Sequence, residues 1–247
     1  MREPKRILIT GASSGIGEAL AAHYAGPGVF LALSGRDAAR LAAVAACCRV
    51  AGAEVAAETV DAADRAAMAA WIAALEPLDL VIANAGIDGA GVEGLERFYR
   101  TFEVNVGGVL NTVLPVLEPM AAQGRGQIAI VASLAGLRGL PSAVAYSASK
   151  AAVRALGEGL RGRYRAQGVR VNVILPGFVA SRITAGNRFR MPLLWPADRA
   201  ARHIASRLAR DQGRIAFPWR MYAGAWLLGV LPQPFVDWLL AKAPRKA

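Results

Sequence analysis

A regular alternation of short aliphatic runs with longer alanine-rich runs extends along most of the chain and constrains its fold. The short runs are typical of buried β-strands, and the longer ones place apolar residues at helical spacing, as at Leu41, Val44 and Cys48. Because parallel strands need a crossover connection, this alternation predicts an α/β fold with helices on both faces of a parallel sheet. The predicted strands are Arg6–Thr10, Val29–Ser34, Glu54–Val60, Leu78–Ala83, Gln127–Ala132, Arg170–Leu175 and Arg214–Phe217.

The chain divides by composition into residues 1–217, predicted to form a single domain, and residues 218–247, which we call the C-terminal segment. This segment is rich in Trp and Leu and is broken by Pro232 and Pro234. Neither half reaches the roughly 20 apolar residues that span a bilayer. Three roles stay open for it: a lid over the substrate, an oligomer contact, or a helix on a membrane surface, for which Trp beside basic residues is suited.

The formal net charge of +11 is compatible with an anionic cofactor, an anionic membrane face or a nucleic acid. The arginines are scattered and form no compact cluster with interleaved aromatics, so no nucleic-acid partner is expected. His23 and His203 have no second ligand nearby in sequence, which disfavours a metal site. Cys47 and Cys48 are adjacent in a predicted helix, where both are expected to pack, and they favour a reducing, cytoplasmic location.

The first predicted strand runs into a glycine-rich turn, Thr10–Gly17, which precedes a predicted helix. Gly11, Gly15 and Gly17 allow the backbone to approach a pyrophosphate closely, and the helix N-terminus offers N–H groups and a partial positive charge. The spacing is Gly-x-x-x-Gly-x-Gly, and its place between strand and helix indicates a dinucleotide site in a Rossmann-like, doubly wound sheet.

The second predicted strand ends at Gly35, Arg36 and Asp37, beside the expected adenosine ribose. An acidic side chain there would hold the ribose hydroxyls, whereas an arginine pairs with a 2′-phosphate. Gly35 stands at the acidic position and Arg36 follows, which favours NADP(H) and leaves NAD(H) possible. Asp37 is an alternative ribose ligand, or the N-cap of the next helix.

Tyr146 and Lys150 are four residues apart in a predicted helix, so their side chains share one face. A nearby ammonium favours the phenolate and is expected to lower the pKa of Tyr146, as would an oxidised nicotinamide. The tyrosine could then exchange a proton with a substrate oxygen, which Ser133, at the end of the fifth strand, would hold.

From about Lys5 to Phe217 the chain resembles the short-chain dehydrogenase/reductase family. The resemblance rests on motifs in the family's order: Thr10–Gly17, Asp61, Asn84-Ala85-Gly86, Asn105, Ser133, Tyr146-x-x-x-Lys150 and Pro176-Gly177. It implies reversible hydride transfer between a nicotinamide and an alcohol or carbonyl substrate. It also implies a homodimer or homotetramer formed through the helices that carry Asn105 and Tyr146.

The resemblance implies a role for each matching catalytic residue. Tyr146 would be the general acid and base, and Ser133 would orient the reacting oxygen. Lys150 would lower the tyrosine pKa and bind the nicotinamide ribose, and Asn105 would hold a water that links Lys150 to solvent. The other implied cofactor contacts are Ser13, Ser14 and Ile16 along the phosphates, Asp61 at the adenine edge, Asn84, Ala85 and Gly86 at the adenosine ribose, and Pro176, Gly177, Val179 and Ser181 around the nicotinamide.

In such a family the segment after Pro176-Gly177 covers the substrate, and here Asn187–Leu194 with Trp195 is apolar. Phe189, Leu193 and Leu194 suggest an apolar lid and a lipophilic substrate, with packing against the core or a partner subunit as the alternative. Two rival functions stay open: an epimerase or dehydratase with the same Tyr–Lys pair, and a non-catalytic protein that only binds the nicotinamide.

Overall fold

The computed structural model describes residues 3–75, 77–88, 94–185 and 191–240, and they form one seven-stranded parallel sheet. The strand order is β3-β2-β1-β4-β5-β6-β7, so the chain reverses its direction of travel between β1 and β4. Ligands bind at such a switch point, outside the carboxyl ends of the strands. The Rossmann-like prediction is thus confirmed, with β1 (Arg6–Thr10), β2 (Phe30–Ser34), β3 (Glu54–Glu58), β4 (Leu80–Ala83), β5 (Gly126–Val131), β6 (Val169–Pro176) and β7 (Arg214–Phe217).

All seven predicted strands exist, but three of them are shorter than the apolar runs that predicted them, β2 by the single residue Val29 and β3 and β4 by two residues each. The β3 strand ends at Glu58 rather than Val60, because its last partner is Ser34 at the end of β2. The β4 strand begins after Asp79, whose carboxylate accepts hydrogen bonds from the N–H groups of Lys5 and Arg6 at 2.9 and 3.0 Å. An apolar run therefore extends beyond the length over which a neighbouring strand offers pairing.

Helices cover both faces of the sheet. The larger ones are α1 (Gly15–Tyr24), α2 (Ala38–Val50), α3 (Arg65–Ala73), α4 (Gly94–Phe102), α5 (Gly108–Ala122), α6 (Val144–Tyr164), α8 (Ala197–Leu208), α9 (Trp219–Val230) and α10 (Gln233–Leu240), and a short turn, α7 (Arg182–Ala185), lies between α6 and α8. Asp37 and Asp64 cap α2 and α3, since each carboxylate accepts the backbone N–H three residues later.

Alternation along β1 divides the core into two layers. Ile7 and Ile9 pack with residues of α1, α2 and α8, whereas Leu8 packs with residues of α3, α5 and α6. All three side chains are fully buried. Burial of each contributes about 1.5–3 kcal/mol, and it fixes which side of the sheet each helix covers.

The two cysteines have different environments. Cys48 is buried against the sheet with Leu41 and Val44, as predicted, but Cys47 is exposed, so the expectation that both pack is wrong for Cys47. Consecutive residues of a helix point about 100° apart, and only one of the two therefore faces the core.

The C-terminal segment begins directly after β7 and forms α9 and α10. One side of α9 packs against the domain through Met221, Tyr222 and Ala225. No helix in the described ranges is long and apolar enough to cross a bilayer. Lys242, Arg245 and Lys246, the basic residues at the end of this segment, lie outside the described residues.

Candidate active site

A cleft of about 720 Å³ opens at the carboxyl ends of the strands, where the topology predicts a ligand site. Residues from the ends of β1, β2, β4, β5 and β6 form its walls. Most of the site residues predicted from sequence line it: Gly11, Ser13, Ser14, Gly15, Ile16, Arg36, Asp61, Asn84, Ala85, Gly86, Ser133, Tyr146, Lys150, Pro176, Gly177, Val179 and Ser181. Gly17 and Asn105 lie behind this wall.

At its glycines, the glycine-rich turn has a backbone conformation and a close packing that other residues would not fit. Gly11 and Gly15 have φ of +65° and +60°, a region that L-residues rarely adopt. A Cβ on Gly17 would lie 2.3 Å from the carbonyl oxygen of Gly11, so this glycine lets the start of α1 pack directly behind the turn. Ser14 occupies the N-cap position without a side-chain bond to the helix. The result is a close backbone cradle at a helix N-terminus, which suits a phosphate.

Asn84 holds this turn against β4. Its side-chain amide donates to the carbonyl oxygens of Thr10 and Gly11 at 2.9 and 3.1 Å. In return, the Thr10 hydroxyl accepts from the N–H groups of Asn84 and Ala85 at 3.1 and 3.2 Å. The Asn84 side chain therefore fixes the shape of the turn, while the residue also borders the cleft.

At the adenosine end of the cleft, Asp37 is engaged as a helix cap, which confirms that alternative for its role. Its carboxylate accepts the Arg40 N–H at 3.0 Å and also pairs with the Arg40 guanidinium. The Arg40 N–H and then its side chain hold the pKa of Asp37 below the usual value. Arg36, beside it, is exposed at the rim of the same cleft. The local balance of charge at this rim is thus positive.

Asp61 lies on the same side and forms an ion pair with Arg100 of α4, at 2.5 Å. Burial raises the pKa of Asp61, but the Ala63 N–H and the Arg100 guanidinium outweigh it, and the pKa is lowered overall. Both side chains line the cleft. Asp61 is therefore an ionised carboxylate whose charge is already paired.

Ser133, Tyr146 and Lys150 meet at the centre of the cleft. Ser133 follows β5 and its hydroxyl oxygen accepts the Ala135 N–H at 3.1 Å, while the same side chain hydrogen-bonds Tyr146. Lys150 is only 3% exposed, and its ammonium donates to the Val131 carbonyl at 2.9 Å. The ammonium nitrogen lies 5.8 Å from the centre of the Tyr146 ring. The structure thus brings together in the cleft three of the four residues that sequence reasoning assigned to catalysis, and the fourth, Asn105, lies behind them.

The protonation of these groups differs from the sequence-based expectation. Burial raises the pKa of Tyr146; the Ser133 hydrogen bond opposes this and Asp88 adds to it. Burial also lowers the pKa of Lys150 to about 8. We expected Lys150 to lower the pKa of Tyr146, but the pKa is raised, because the cost of burying the phenolate dominates.

Asn105 lies behind Lys150, in a π-helical turn, Glu103–Gly107, that joins α4 to α5. Its side-chain oxygen accepts the Ile87 N–H at 2.8 Å, and its amide donates to the Ile87 carbonyl and the Ser149 hydroxyl at 2.9 and 3.0 Å. A Cβ on Gly86 would lie 3.1 Å from that oxygen and 3.2 Å from the Lys150 nitrogen. The Asn105 side chain therefore fixes the loop after β4 against α6.

The segment expected to cover the substrate has two parts. Residues 186–190, including Asn187 and Phe189, lie outside the described residues. Trp195 stacks on Phe217 at 5.0 Å and packs against the core, as in the alternative to a lid. Leu193 and Leu194 are exposed. At the other wall, a Cβ on Gly177 would lie 2.5 Å from the sulfur of Met221, so α9 adjoins the cleft.

The cleft also contains residues that the sequence analysis did not single out: Arg40, Asp88, Arg100, Arg182 and Thr184. Arg40 could have been found from the sequence, because it lies four residues after Arg36. Thr184 lies three residues after Ser181 in the sequence, and in the structure its hydroxyl accepts the Ser181 N–H at 2.9 Å. Arg100 is 39 residues from Asp61 in sequence, and only the fold brings them together. Within the described ranges, no three His, Cys, Asp or Glu side chains converge as a metal site requires.

Comparison with known proteins adds a family to this geometry. A family model described as short chain dehydrogenase matches residues 5–190. An uncharacterized oxidoreductase of Myxococcus xanthus (strain DK1622) is 39% identical over 237 residues, which cover 93% of this chain and 94% of that protein.

Solved structures agree with the fold. A short-chain dehydrogenase from Sphingobium yanoikuyae in complex with NADPH is similar with a TM-score of 0.78 and 26% identity, over 92% of this chain and 96% of that one. An NAD+-bound xylitol dehydrogenase is similar with a TM-score of 0.77 over 88% of this chain and 99% of that one; at 23% identity it supports the fold alone.

Proposed function

Because the chain belongs to the short-chain dehydrogenase/reductase family of oxidoreductases, we propose that it interconverts an alcohol with a ketone or an aldehyde. The observation that carries this proposal is the meeting of Ser133, Tyr146 and buried Lys150 in one cleft, at the end of the sheet where a dinucleotide would bind. The expected residues of the cofactor site line the same cleft, so cofactor and catalytic groups share one space.

The described residues fit a nicotinamide dinucleotide. The glycines of the turn at Gly11–Gly17 leave no room for side chains at their positions, and the turn opens at the N-terminus of α1, as a pyrophosphate requires. Pro176, Gly177 and Val179 would border the nicotinamide, and Lys150 would hold its ribose hydroxyls. The bound cofactor supplies or accepts a hydride at the substrate carbon.

In the reducing direction, the Tyr146 hydroxyl donates its proton to the substrate oxygen as that carbon gains the hydride. The Ser133 hydroxyl donates a hydrogen bond to the same oxygen and keeps it within reach of Tyr146. In this proposal the Lys150 ammonium, 5.8 Å from the ring centre, attracts the phenolate that Tyr146 becomes, and this attraction offsets only part of the cost of burying that charge. In the oxidising direction the same groups act in reverse, and Tyr146 takes the hydroxyl proton.

We assign the cofactor preference to NADP(H), with NAD(H) as the weaker cofactor. Asp37 is neutralised by Arg40 and caps α2, so it is not available to attract ribose hydroxyls in place of a phosphate. Arg36 and Arg40 both border this end of the cleft. Two guanidinium groups with one paired carboxylate complement the charge of a 2′-phosphate.

A lipophilic carbonyl compound is the substrate class that the cleft favours. Exposed Leu193 and Leu194 follow the part of the chain that borders the nicotinamide end, and Ile183 lines the cleft. Met221 of α9 lies against Gly177 on another side. These apolar side chains would desolvate a hydrophobic substrate better than a sugar.

Homodimers or homotetramers fit an apolar surface on the helices that flank Asn105. Leu95, Tyr99 and Phe102 are exposed along one side of α4, and Leu114 is exposed on α5. Such a row on a helix is typical of a contact with another subunit. The free thiols of Cys47 and Cys48 support a reducing, cytoplasmic setting.

Replacement of Tyr146 by Phe tests the catalytic proposal. We expect turnover to be lost with ketones, aldehydes and alcohols, while NADPH still binds and its fluorescence still responds. Unchanged turnover would refute the role of Tyr146. Binding of NADPH by the natural chain without oxidation of any alcohol or reduction of any carbonyl would favour the non-catalytic alternative, and an isomerised or dehydrated product without net cofactor turnover would favour the epimerase or dehydratase.

A further inference from the structure

The helix α9 is apolar on both of its sides, although only one of them is covered. Met221, Tyr222 and Ala225 pack on the domain, and a Cβ on Gly229 would lie 3.0 Å from the Leu137 carbonyl oxygen. On the opposite side Trp219, Trp226, Leu227 and Val230 are between 50% and 74% exposed. Residues 219, 226 and 230 are seven and four positions apart, so they form one row along the helix.

The next helix, α10, also has exposed aromatic side chains. Phe235 is 50% exposed and Trp238 is 58% exposed, and the centres of their rings are 6.0 Å apart. Val236 faces the other way and is fully buried. The side-chain oxygen of Gln233 accepts a hydrogen bond from the guanidinium of Arg138, which follows the turn after Ser133. We call Trp219, Trp226, Leu227, Val230, Phe235 and Trp238 the outward face.

We propose that the outward face docks on an anionic lipid surface, so that the protein binds membranes peripherally. Single exposed apolar residues are ordinary, but two tryptophans in one row on α9 and a third tryptophan on α10 mark an interaction surface. Indole rings favour the boundary between acyl chains and headgroups, where one side is apolar and the N–H meets water. The composition of the face thus matches a bilayer interface.

Charge selects an anionic lipid over a second copy of this chain. The C-terminal segment contains four basic residues, Arg220, Lys242, Arg245 and Lys246, and one acidic residue, Asp237, in a chain of net charge +11. Of these, Arg220 lies on α9 beside Trp219 and is exposed, so two copies meeting through the outward face would bring such guanidinium groups together. An anionic headgroup layer would neutralise them instead.

The position of α9 gives this docking a consequence for the cleft. Met221 lies against Gly177 on the inner side of the helix that carries Trp226 on its outer side. Lipid docking would therefore bring one wall of the cleft close to the bilayer. The docking itself does not depend on the proposed reaction.

Vesicle flotation of the full chain tests the proposal. We expect flotation with phosphatidylcholine vesicles that contain phosphatidylglycerol and much less with phosphatidylcholine alone. The double variant Trp226→Gln/Trp238→Gln should partition at least about tenfold less, given the transfer free energy of two large apolar side chains. The control is Val50→Gln, an exposed apolar residue on α2 (91% exposed) outside this face, which should float like the natural chain.

A second measurement uses the natural chain alone, in case the double variant folds poorly. Vesicles with brominated acyl chains should quench its tryptophan fluorescence, because the three outward tryptophans would lie at acyl-chain depth. Absence of both flotation and quenching would overturn the proposal. So would a double variant, folded by circular dichroism, that floats as well as the natural chain.

Two further outcomes separate the alternatives. If the double variant lowers the oligomeric state in sedimentation velocity and the natural chain ignores vesicles, a second copy covers the face and the lipid proposal is wrong. Tyr146→Phe should float normally even though it is inactive. Failure of the catalytic proposal and failure of the lipid proposal are therefore read from different experiments.

Discussion

Arg100 Nη2 lies 2.5 Å from Asp61 Oδ2, so that a helix from beyond β4 closes on the carboxylate that follows β3. The two side chains are 30% and 32% exposed, and both border the cleft. A partly exposed pair of this kind contributes up to about 1 kcal/mol to stability after solvent screening. Its greater effect is to fix Asp61 at the edge where the adenine would lie.

The variant Arg100→Gln should loosen this edge without changing the preference for the phosphate. We expect the dissociation constants of NADPH and NADH to rise by a similar factor, about three- to tenfold, since loss of one charge-assisted contact costs about 1 kcal/mol. Fluorescence titration with both cofactors measures the two constants. A selective loss of NADPH alone would show that Arg100 contacts the 2′-phosphate instead.

The variant Arg36→Gln should behave in the opposite way. Removal of a guanidinium that pairs with the 2′-phosphate should weaken NADPH about tenfold or more and leave NADH nearly unchanged. Arg210→Gln is the matched control, because Arg210 is exposed, lies outside the cleft lining and carries the same charge. If the two variants raised the dissociation constant of NADPH equally, Arg36 would act only through the net charge of the protein and not through a contact with the 2′-phosphate.

Local patterns predicted the sheet and the centre of the cleft well, because both depend on short stretches of chain. The run from Arg6 to Thr10 is a strand in the structure with the predicted bounds, and Tyr146 and Lys150 share a helix face as their spacing requires. The ends of β3 and β4 were less predictable, since they depend on how far a partner strand extends. Strand pairing is a property of two segments, and a hydrophobic run describes one.

Long-range pairs and desolvation could not be predicted from local patterns. Nothing near Asp61 in the sequence points to Arg100, and Asp88 becomes part of the cleft only through the turn after β4. The pKa of Tyr146 was expected to fall because of Lys150, yet burial raises it. The sign depends on how much water reaches the phenol, which the spacing of two residues does not encode.

Asp88→Asn should shift the pH dependence of alcohol oxidation. The Asp88 charge raises the pKa of Tyr146, so its removal should lower that pKa and make the phenolate available at lower pH. The acidic limb of kcat/KM against pH is therefore expected to move to lower pH. Ser133→Ala is the opposed variant, because loss of its hydrogen bond should raise the tyrosine pKa and move the limb to higher pH. If the acidic limbs of the two variants moved in the same direction, this account would be wrong.

Lys150→Met should stabilise the fold while it removes activity. Burial lowers the pKa of Lys150 from 10.5 to about 8, so at neutral pH the folded protein holds a charged group in an unfavourable site. The unfolded chain binds more protons between pH 8 and 10.5, so this penalty is relieved as pH rises through that range. Each pKa unit corresponds to about 1.4 kcal/mol, and loss of the donor to Val131 offsets about 1 kcal/mol.

We therefore expect Lys150→Met to raise the free energy of unfolding by about 2–3 kcal/mol at neutral pH. The advantage should shrink as the pH rises from about 8 to 10.5 and be gone at higher pH. Urea denaturation at both pH values measures the difference. A variant that is less stable than the natural chain at neutral pH would show that the bond to the Val131 carbonyl outweighs the desolvation of the ammonium.

Gly17→Ala should damage cofactor binding through the backbone rather than through any lost contact. The added Cβ would lie 2.3 Å from the Gly11 carbonyl oxygen, far inside van der Waals contact, so either the turn or the start of α1 must shift. Since both form the phosphate cradle, we expect NADPH and NADH to weaken together, by at least about tenfold. Gly26→Ala is the control, because no heavy atom lies within 4 Å of its added Cβ. If Gly17→Ala bound both cofactors as tightly as Gly26→Ala does, the turn would not be the phosphate site.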